Sequence, residues 1–312
     1  MDKKDLRILF LGTPEISAVV LENLIINGYN IVGIVAQQDK PIGRKQIVSA
    51  VPTKVVGFKY GIKVYQPVKI RLDFSFVKDI NPDLILTLAY GQLIPHEILE
   101  IPKYGCLNLH GSLLPKYRGA APIQFALLNG EKKTGITLME MVDKMDAGKM
   151  YLKKEVDIID DDNYDSLVTK LEGCAYNCFD EGIQDYIDGK NKGIEQNEDD
   201  ATFTRKINEE DQIINFDNSA FEIHNKIRAL SCNPGVYFSF HNEKIKVFKS
   251  IVEDGVYEVG KIIKYDKNGL LIGTKNGALL ITELQKPGKR ILKINDFYNG
   301  NQKLFVPGEN LI

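Results

Sequence analysis

Residues 6–36, LRILFLGTPEISAVVLENLIINGYNIVGIVA, decide the fold. Leu6 to Leu11 form an almost unbroken apolar run, the pattern of a strand covered on both faces in a parallel sheet. Gly12-Thr13-Pro14-Glu15 then break it, with Thr13 expected as a helix N-cap and Pro14 as the first helical residue. An amphipathic stretch from Ile16 to Asn27 follows, and Gly28 suits the position just past its C-terminus. Asn30 to Ala36 is the next buried strand, so the segment reads as a βαβ unit. Further strands are expected at Lys63–Tyr65, Asp83–Ala89 and Cys106–His110, which makes an α/β domain with a doubly wound, mostly parallel sheet.

Beyond it, a helix is expected over Gln124–Asn129, paired strands over Thr134–Met141 and Gly148–Val156, and a long amphipathic helix over Tyr164–Ile187. The polar run from Asp188 to Glu210 has few apolar anchors and is the best linker candidate. After an expected helix at Phe216–Leu230, five short strands punctuated by Gly and Asn suggest a small OB-like β-barrel. We therefore expect a catalytic domain at 1–190, a linker at 191–207 and a second domain at 208–312.

The chain has 312 residues, 40 Lys and Arg against 42 Asp and Glu, and only four cysteines. A formal net charge of −2 argues against nucleic-acid binding by bulk charge, while leaving room for local basic patches. Cys174 and Cys178 lie one helical turn apart without a second pair or a nearby histidine, so core packing is expected rather than a metal site. The N-terminus MDKKDLRILFLG has no signal-peptide core and no segment approaches a membrane span; a reduced, cytoplasmic protein is expected. A dinucleotide site is disfavoured, because only Gly12 of the glycine fingerprint is present and Pro14 has no N–H to donate.

Candidate chemistry concentrates in Cys106–Ile123, CLNLHGSLLPKYRGAAPI. Period-two alternation turns Asn108 and His110 to one face of a strand end, with Leu107 and Leu109 on the other. In GITLMEMVDKMDAG (Gly135–Gly148) a strand runs into a loop bearing Asp143 and Asp146. Either carboxylate could meet the imidazole if the two strands are neighbours; the plainer reading makes both solvated turn formers.

The segments FLGTPE (Phe10–Glu15), AYGQLIP (Ala89–Pro95), NLHGSLLPKYRGAAPI (Asn108–Ile123) and GITLMEMVDKMDAG together resemble the folate-dependent formyltransferases. The insert QQDKPIGRKQ (Gln37–Gln46) and the C-terminal LQKPGKRILKINDFYNG (Leu284–Gly300) are similar to the branch acting on charged tRNA. The resemblance implies Asn108, His110 and Asp146 as the catalytic trio. It implies a 10-formyltetrahydrofolate co-substrate held by Ala89, Tyr90, Gly91, Ser112, Leu113, Leu114, Pro115 and Asp143. It further implies an initiator tRNA partner carrying methionine, with no metal and no nucleotide cofactor. Residues 39–54 hold four basic side chains against Asp39, and residues 283–303 hold five against two acids. Lys40, Arg44, Lys45, Lys286, Lys289 and Arg290 are accordingly the expected tRNA contacts, and a monomer is expected. The nearest rival is a formyltransferase for another amine, such as an amino sugar, which should lack the insert and the C-terminal domain.

Overall fold

A computed structural model describes residues 2–42, 47–231 and 233–311. The chain divides into two compact units, one of Met1–Pro122, Lys133–Asp157 and Val168–Thr204, the other of Ile123–Lys132, Ile158–Leu167 and Arg205–Ile312.

The first unit begins with β1 (Arg7–Gly12), α1 (Glu15–Ile26) and β2 (Asn30–Val35). A short hairpin of β3 (Lys40–Ile42) and β4 (Ile47–Ser49) precedes α2 (Pro52–Tyr60) and β5 (Val64–Tyr65). Next come α3 (Ser75–Ile80), β6 (Leu84–Leu88), α4 (His96–Leu99), β7 (Cys106–His110) and the two-residue β8 (Arg118–Gly119). α5 (Pro122–Leu128), which falls in the second unit from Ile123, precedes β9 (Lys133–Glu140) and β10 (Met150–Asp157), which complete the main sheet; the long helix α6 (Tyr164–Ile187) belongs to the first unit from Val168. The strand order is β10-β9-β7-β6-β1-β2-β5, parallel from β5 to β7 and antiparallel across β9 and β10. Strand order reverses between β1 and β6, so the loops after them meet at the carboxyl ends, where such sheets form their binding crevices.

Burial explains the apolar run: Leu9 and Leu11 enter one core cluster with Val35, Val77, Ile85 and Ile98, while Ile8 and Phe10 are equally buried on the opposite face. Gly182 lets α6 lie against Leu138 of β9 and Leu152 of β10; an added Cβ would stand 2.9 Å from Leu138. Cys178 of that helix is buried, and Cys174 and Cys178 direct their thiols to strand carbonyls. Among the described residues no group of His, Cys, Asp or Glu could hold a metal ion, and no helix is long and apolar enough to cross a membrane.

Thr13 does not cap α1. Pro14 occupies that position without a side-chain cap, and the threonine hydroxyl instead accepts from the Gln37 N–H and donates to the Tyr90 carbonyl. It ties the β1, β2 and β6 loops together across the switch point. Residues 191–207, read from composition as linker, run as an ordered strap of the first unit up to Thr204: Ile194 bridges Met150, and β11 (Phe203–Thr204) pairs with β8.

In the second unit, α7 (Ala220–Ala229) starts at a reciprocal Ser219–Glu222 capping box. Strands β12 (Val236–Phe240), β13 (Glu243–Glu253), β14 (Ile262–Asp266), β15 (Gly269–Gly273) and β16 (Ala278–Gln285) form an antiparallel sheet of order β12-β13-β16-β15-β14. The short β17 (Leu292–Lys293) adds to β16, and α8 (Ile294–Asn301) follows. The path ends at β12 and β14 rather than closing. Buried Phe305 gathers Phe238, Phe240, Tyr265 and Phe297 around it at centroid distances of 5.0 to 6.3 Å.

Candidate active site

Strand β7 delivers the expected pair. Leu107 and Leu109 are buried on one face, and Asn108 (half-buried) and His110 (buried) share the other. No described residue hydrogen-bonds the side chain of Asn108. His110 Nε2 lies 2.9 Å from the Tyr117 carbonyl oxygen. A carbonyl only accepts, so Nε2 carries a proton and donates it there. The other ring nitrogen, Nδ1, faces Asp146 Oδ2 at 3.7 Å.

That spacing is too long for a direct hydrogen bond, and the two groups form an ion pair only when the imidazole is protonated. Asp146 Oδ2 takes its short hydrogen bond, 2.8 Å, from the Gly119 N–H. The loop leaves β9 beside Cys106, where the Met141 N–H donates to the Cys106 carbonyl, yet it returns Asp146 to the far end of β7. Asp146 has φ 51°, in the left-handed region. Gly148 permits the return, since a Cβ there would lie 2.1 Å from the Glu140 carbonyl oxygen. Asp143 does not join this cluster; it is exposed and pairs with exposed His96 at 3.3 Å.

The turn after β7 is pinned from beneath. Thr137 of β9 donates to the Ser112 carbonyl at 2.7 Å and accepts from the Leu114 N–H at 3.1 Å. Ser112 donates to the Lys116 carbonyl, and Lys153 of β10 donates to the Leu114 carbonyl; burial lowers that lysine's pKa. The Leu114 side chain packs with Met139 and Met150, whereas Leu113 and Pro115 are only partly covered. Ala89 has φ 49° and Gly91 φ 88°, which makes the loop after β6 a tight bend at the switch point. The Tyr90 ring is buried in the core and its hydroxyl has no partner among the described residues; burial pushes its pKa up. On this loop Ala89 and Gly91 are exposed, whereas the Tyr90 phenol is buried. Burial likewise pushes the Cys106 thiol up to about 12, which makes it inert as a nucleophile.

Sequence reasoning passed over the residues that hold Asp146. Arg118 is fully buried, with Nε donating to Gln196 Oε1 at 3.0 Å and two further N–H groups to the Glu198 carboxylate at 3.2 and 3.0 Å. Arg118 and Lys144 together hold the Glu198 carboxyl down to about 2. Gln196 donates to the carbonyls of Asp146 and Gly148, both at 2.8 Å. Nothing in composition separates a buried arginine from a surface one, and Gln196 stands in a stretch that reads as linker.

The expected basic contacts scatter. Lys40 is exposed on β3, and Arg44 and Lys45 fall outside the described residues. Lys54, counted in the same basic stretch, is engaged by Asp39 at 2.5 Å and Gln66 at 2.8 Å. In the second unit Lys286, Lys289 and Arg290 line an open hollow of about 420 Å³ together with Leu292 and Phe297, and Glu243 pairs with Lys286 at 3.4 Å.

A family model for formyl transferase matches residues 6–181, and one for the formyl transferase C-terminal domain matches residues 206–302. The chain is 42% identical over 299 residues to the methionyl-tRNA formyltransferase of Bacillus subtilis (strain 168), covering 94% of each. It is similar in fold to an N-formyltransferase from Helicobacter canadensis solved with folinic acid and dTDP-3-aminofucose, with TM-score 0.68, 21% identity, and coverage of 90% of this chain and 99% of that one. HypX from Aquifex aeolicus, solved with tetrahydrofolic acid, has TM-score 0.67 and 18% identity over 96% of this chain. This chain spans 48% of that longer one.

Proposed function

The chain belongs to the formyl transferase family, and on that premise we propose that it moves a formyl group from 10-formyltetrahydrofolate to the α-amino group of methionyl-tRNA. The observation that carries the reading is the strand end where the half-buried Asn108 amide shares a face with the His110 imidazole, which the Asp146 carboxylate faces. The near full-length likeness to a methionyl-tRNA formyltransferase and the C-terminal match support the tRNA as acceptor over a free amine.

Formyl transfer joins the acceptor nitrogen to the formyl carbon and breaks that carbon's bond to folate nitrogen. One proton leaves the attacking amine and one arrives on the leaving nitrogen. The amine attacks in its neutral form; a chain α-amino group titrates near ~7.7–8.0 and an ester neighbour lowers that, so little activation is needed. The carbonyl oxygen becomes an oxyanion, and the Asn108 amide N–H is the group to meet it, a donor of the kind worth ~2.7–4 kcal/mol. His110 holds Nε2 on a backbone carbonyl, which leaves Nδ1, facing Asp146, as the position for a transferred proton. The folate would lie along the loops after β6 and β7, beside Ala89, Gly91, Ser112 and Leu113, with Leu114, Pro115 and Tyr90 shaping those loops. Lys40, Arg44, Lys45, Lys286, Lys289 and Arg290 would meet the tRNA backbone. An initiator tRNA as acceptor, a monomer as the working form and the cytoplasm as its place complete the reading.

The test is an acceptor panel. Purified protein with 10-formyltetrahydrofolate should formylate Met-tRNA, giving N-formylmethionine after the ester is hydrolysed. Formylation of a nucleotide-linked amino sugar with no reaction on Met-tRNA would overturn the assignment.

A further inference from the structure

Asp146 is gripped from two sides by a network that starts in the strap at 196–198. Glu198 and the Gln196 side-chain oxygen satisfy the buried Arg118 guanidinium, as a charge removed from water requires. With its oxygen fixed, Gln196 (8% exposed) has one orientation left for its amide nitrogen, and that nitrogen donates to the carbonyls of Asp146 and Gly148 at 2.8 Å each. From the other side Gly119, next in sequence to Arg118, donates its N–H to Asp146 Oδ2 at 2.8 Å. An aspartate at φ 51° persists where its surroundings impose it, and these contacts are what impose it. The same Oδ2 faces His110 Nδ1, so any shift of the loop alters that spacing directly.

We propose that Gln196, oriented by Arg118, is a positioning residue for the transfer reaction: it sets the distance and direction of Asp146 from His110. The proposal rests on formyl transfer at Asn108, His110 and Asp146, and it gives the strap an active role in the chemistry. Gln196→Glu isolates the effect. It keeps an oxygen to accept from Arg118 Nε but turns a second carboxylate oxygen toward the two carbonyls in place of the donor. Gln196→Met, neutral and of similar length, removes the donor without adding charge, and with it the oxygen that accepts from Arg118 Nε.

The experiment measures melting temperature, kcat, KM for 10-formyltetrahydrofolate and for Met-tRNA, and the ring-nitrogen NMR signals of His110 in the ligand-free protein. In a folded variant kcat should fall about 10- to 100-fold, the scale expected for an ångström-sized displacement of a catalytic group. Both KM values should stay within about threefold, and the His110 signals should move. A folded variant with kcat within twofold of the parent and unmoved His110 signals would overturn the proposal, as would a loss confined to KM. If the unmodified protein does not formylate Met-tRNA, the functional reading fails, while the His110 signals still decide whether Gln196 sets the Asp146 spacing.

Discussion

At the scale of single residues, His110 is fixed at Nε2 by an atom that can only accept, and its Nδ1 faces a carboxylate that attracts the ring once it takes up a proton. Replacing Asn108 by Ala should cut kcat by about 10²–10³ with a smaller change in either KM, because an oxyanion donor acts in the transition state. Tyr90 carries a different expectation. Its buried hydroxyl has no partner among the described residues, so Tyr90→Phe should hold or raise stability by about 1 kcal/mol in urea titration, and folate KM should stay unchanged. A raised folate KM would mean that the phenol reaches the co-substrate after all. The Asn108–His110 face was readable from alternation alone. The choice between Asp143 and Asp146 was not, because a loop that doubles back leaves no periodic trace. Arg118 and Gln196 stand 78 positions apart, and only folding brings them together.

At the scale of elements, Gly119 and Gly148 hold the loops around the candidate site. Gly119 has φ 117°, and a Cβ there would lie 2.3 Å from the Thr204 carbonyl oxygen. Gly119→Ala should therefore strain the β8–β11 pairing and lower stability by about 1–3 kcal/mol, measured by urea unfolding. The strap also has an acid signature. Glu198 is held down to about 2 in the folded chain against an ordinary 4.5, so its contribution is present above about pH 4.5 and fades as pH falls toward 2. Glu198→Gln should reduce the drop in melting temperature between pH 5 and pH 3; an identical drop in the variant would show the pair to be inert. Strands and long helices were legible here because burial on two faces or one stripe writes a period. The strap was not: side-chain hydrogen bonds to distant carbonyls anchor it in place of an apolar stripe.

For the whole molecule, a net charge of −2 coexists with basic residues concentrated in two stretches of the sequence, 40–54 and 286–303. If these meet tRNA phosphates, KM for Met-tRNA should rise steeply between 50 and 200 mM salt while folate KM changes little. Arg44→Ala should weaken Met-tRNA use and leave folate affinity intact, in steady-state kinetics with each substrate varied. Two domains were expected about a linker at 191–207; the first of the two compact units takes in residues as late as Thr204.

The central claim is that the Asn108, His110 and Asp146 cluster performs formyl transfer to methionyl-tRNA. Single-turnover formylation of Met-tRNA at saturating 10-formyltetrahydrofolate, comparing the parent chain with His110→Ala, tests it most directly. Efficient transfer by the parent is expected, with a rate about 10²–10⁴ lower in the variant at unaltered melting temperature. Transfer by His110→Ala at near the parent rate would contradict it.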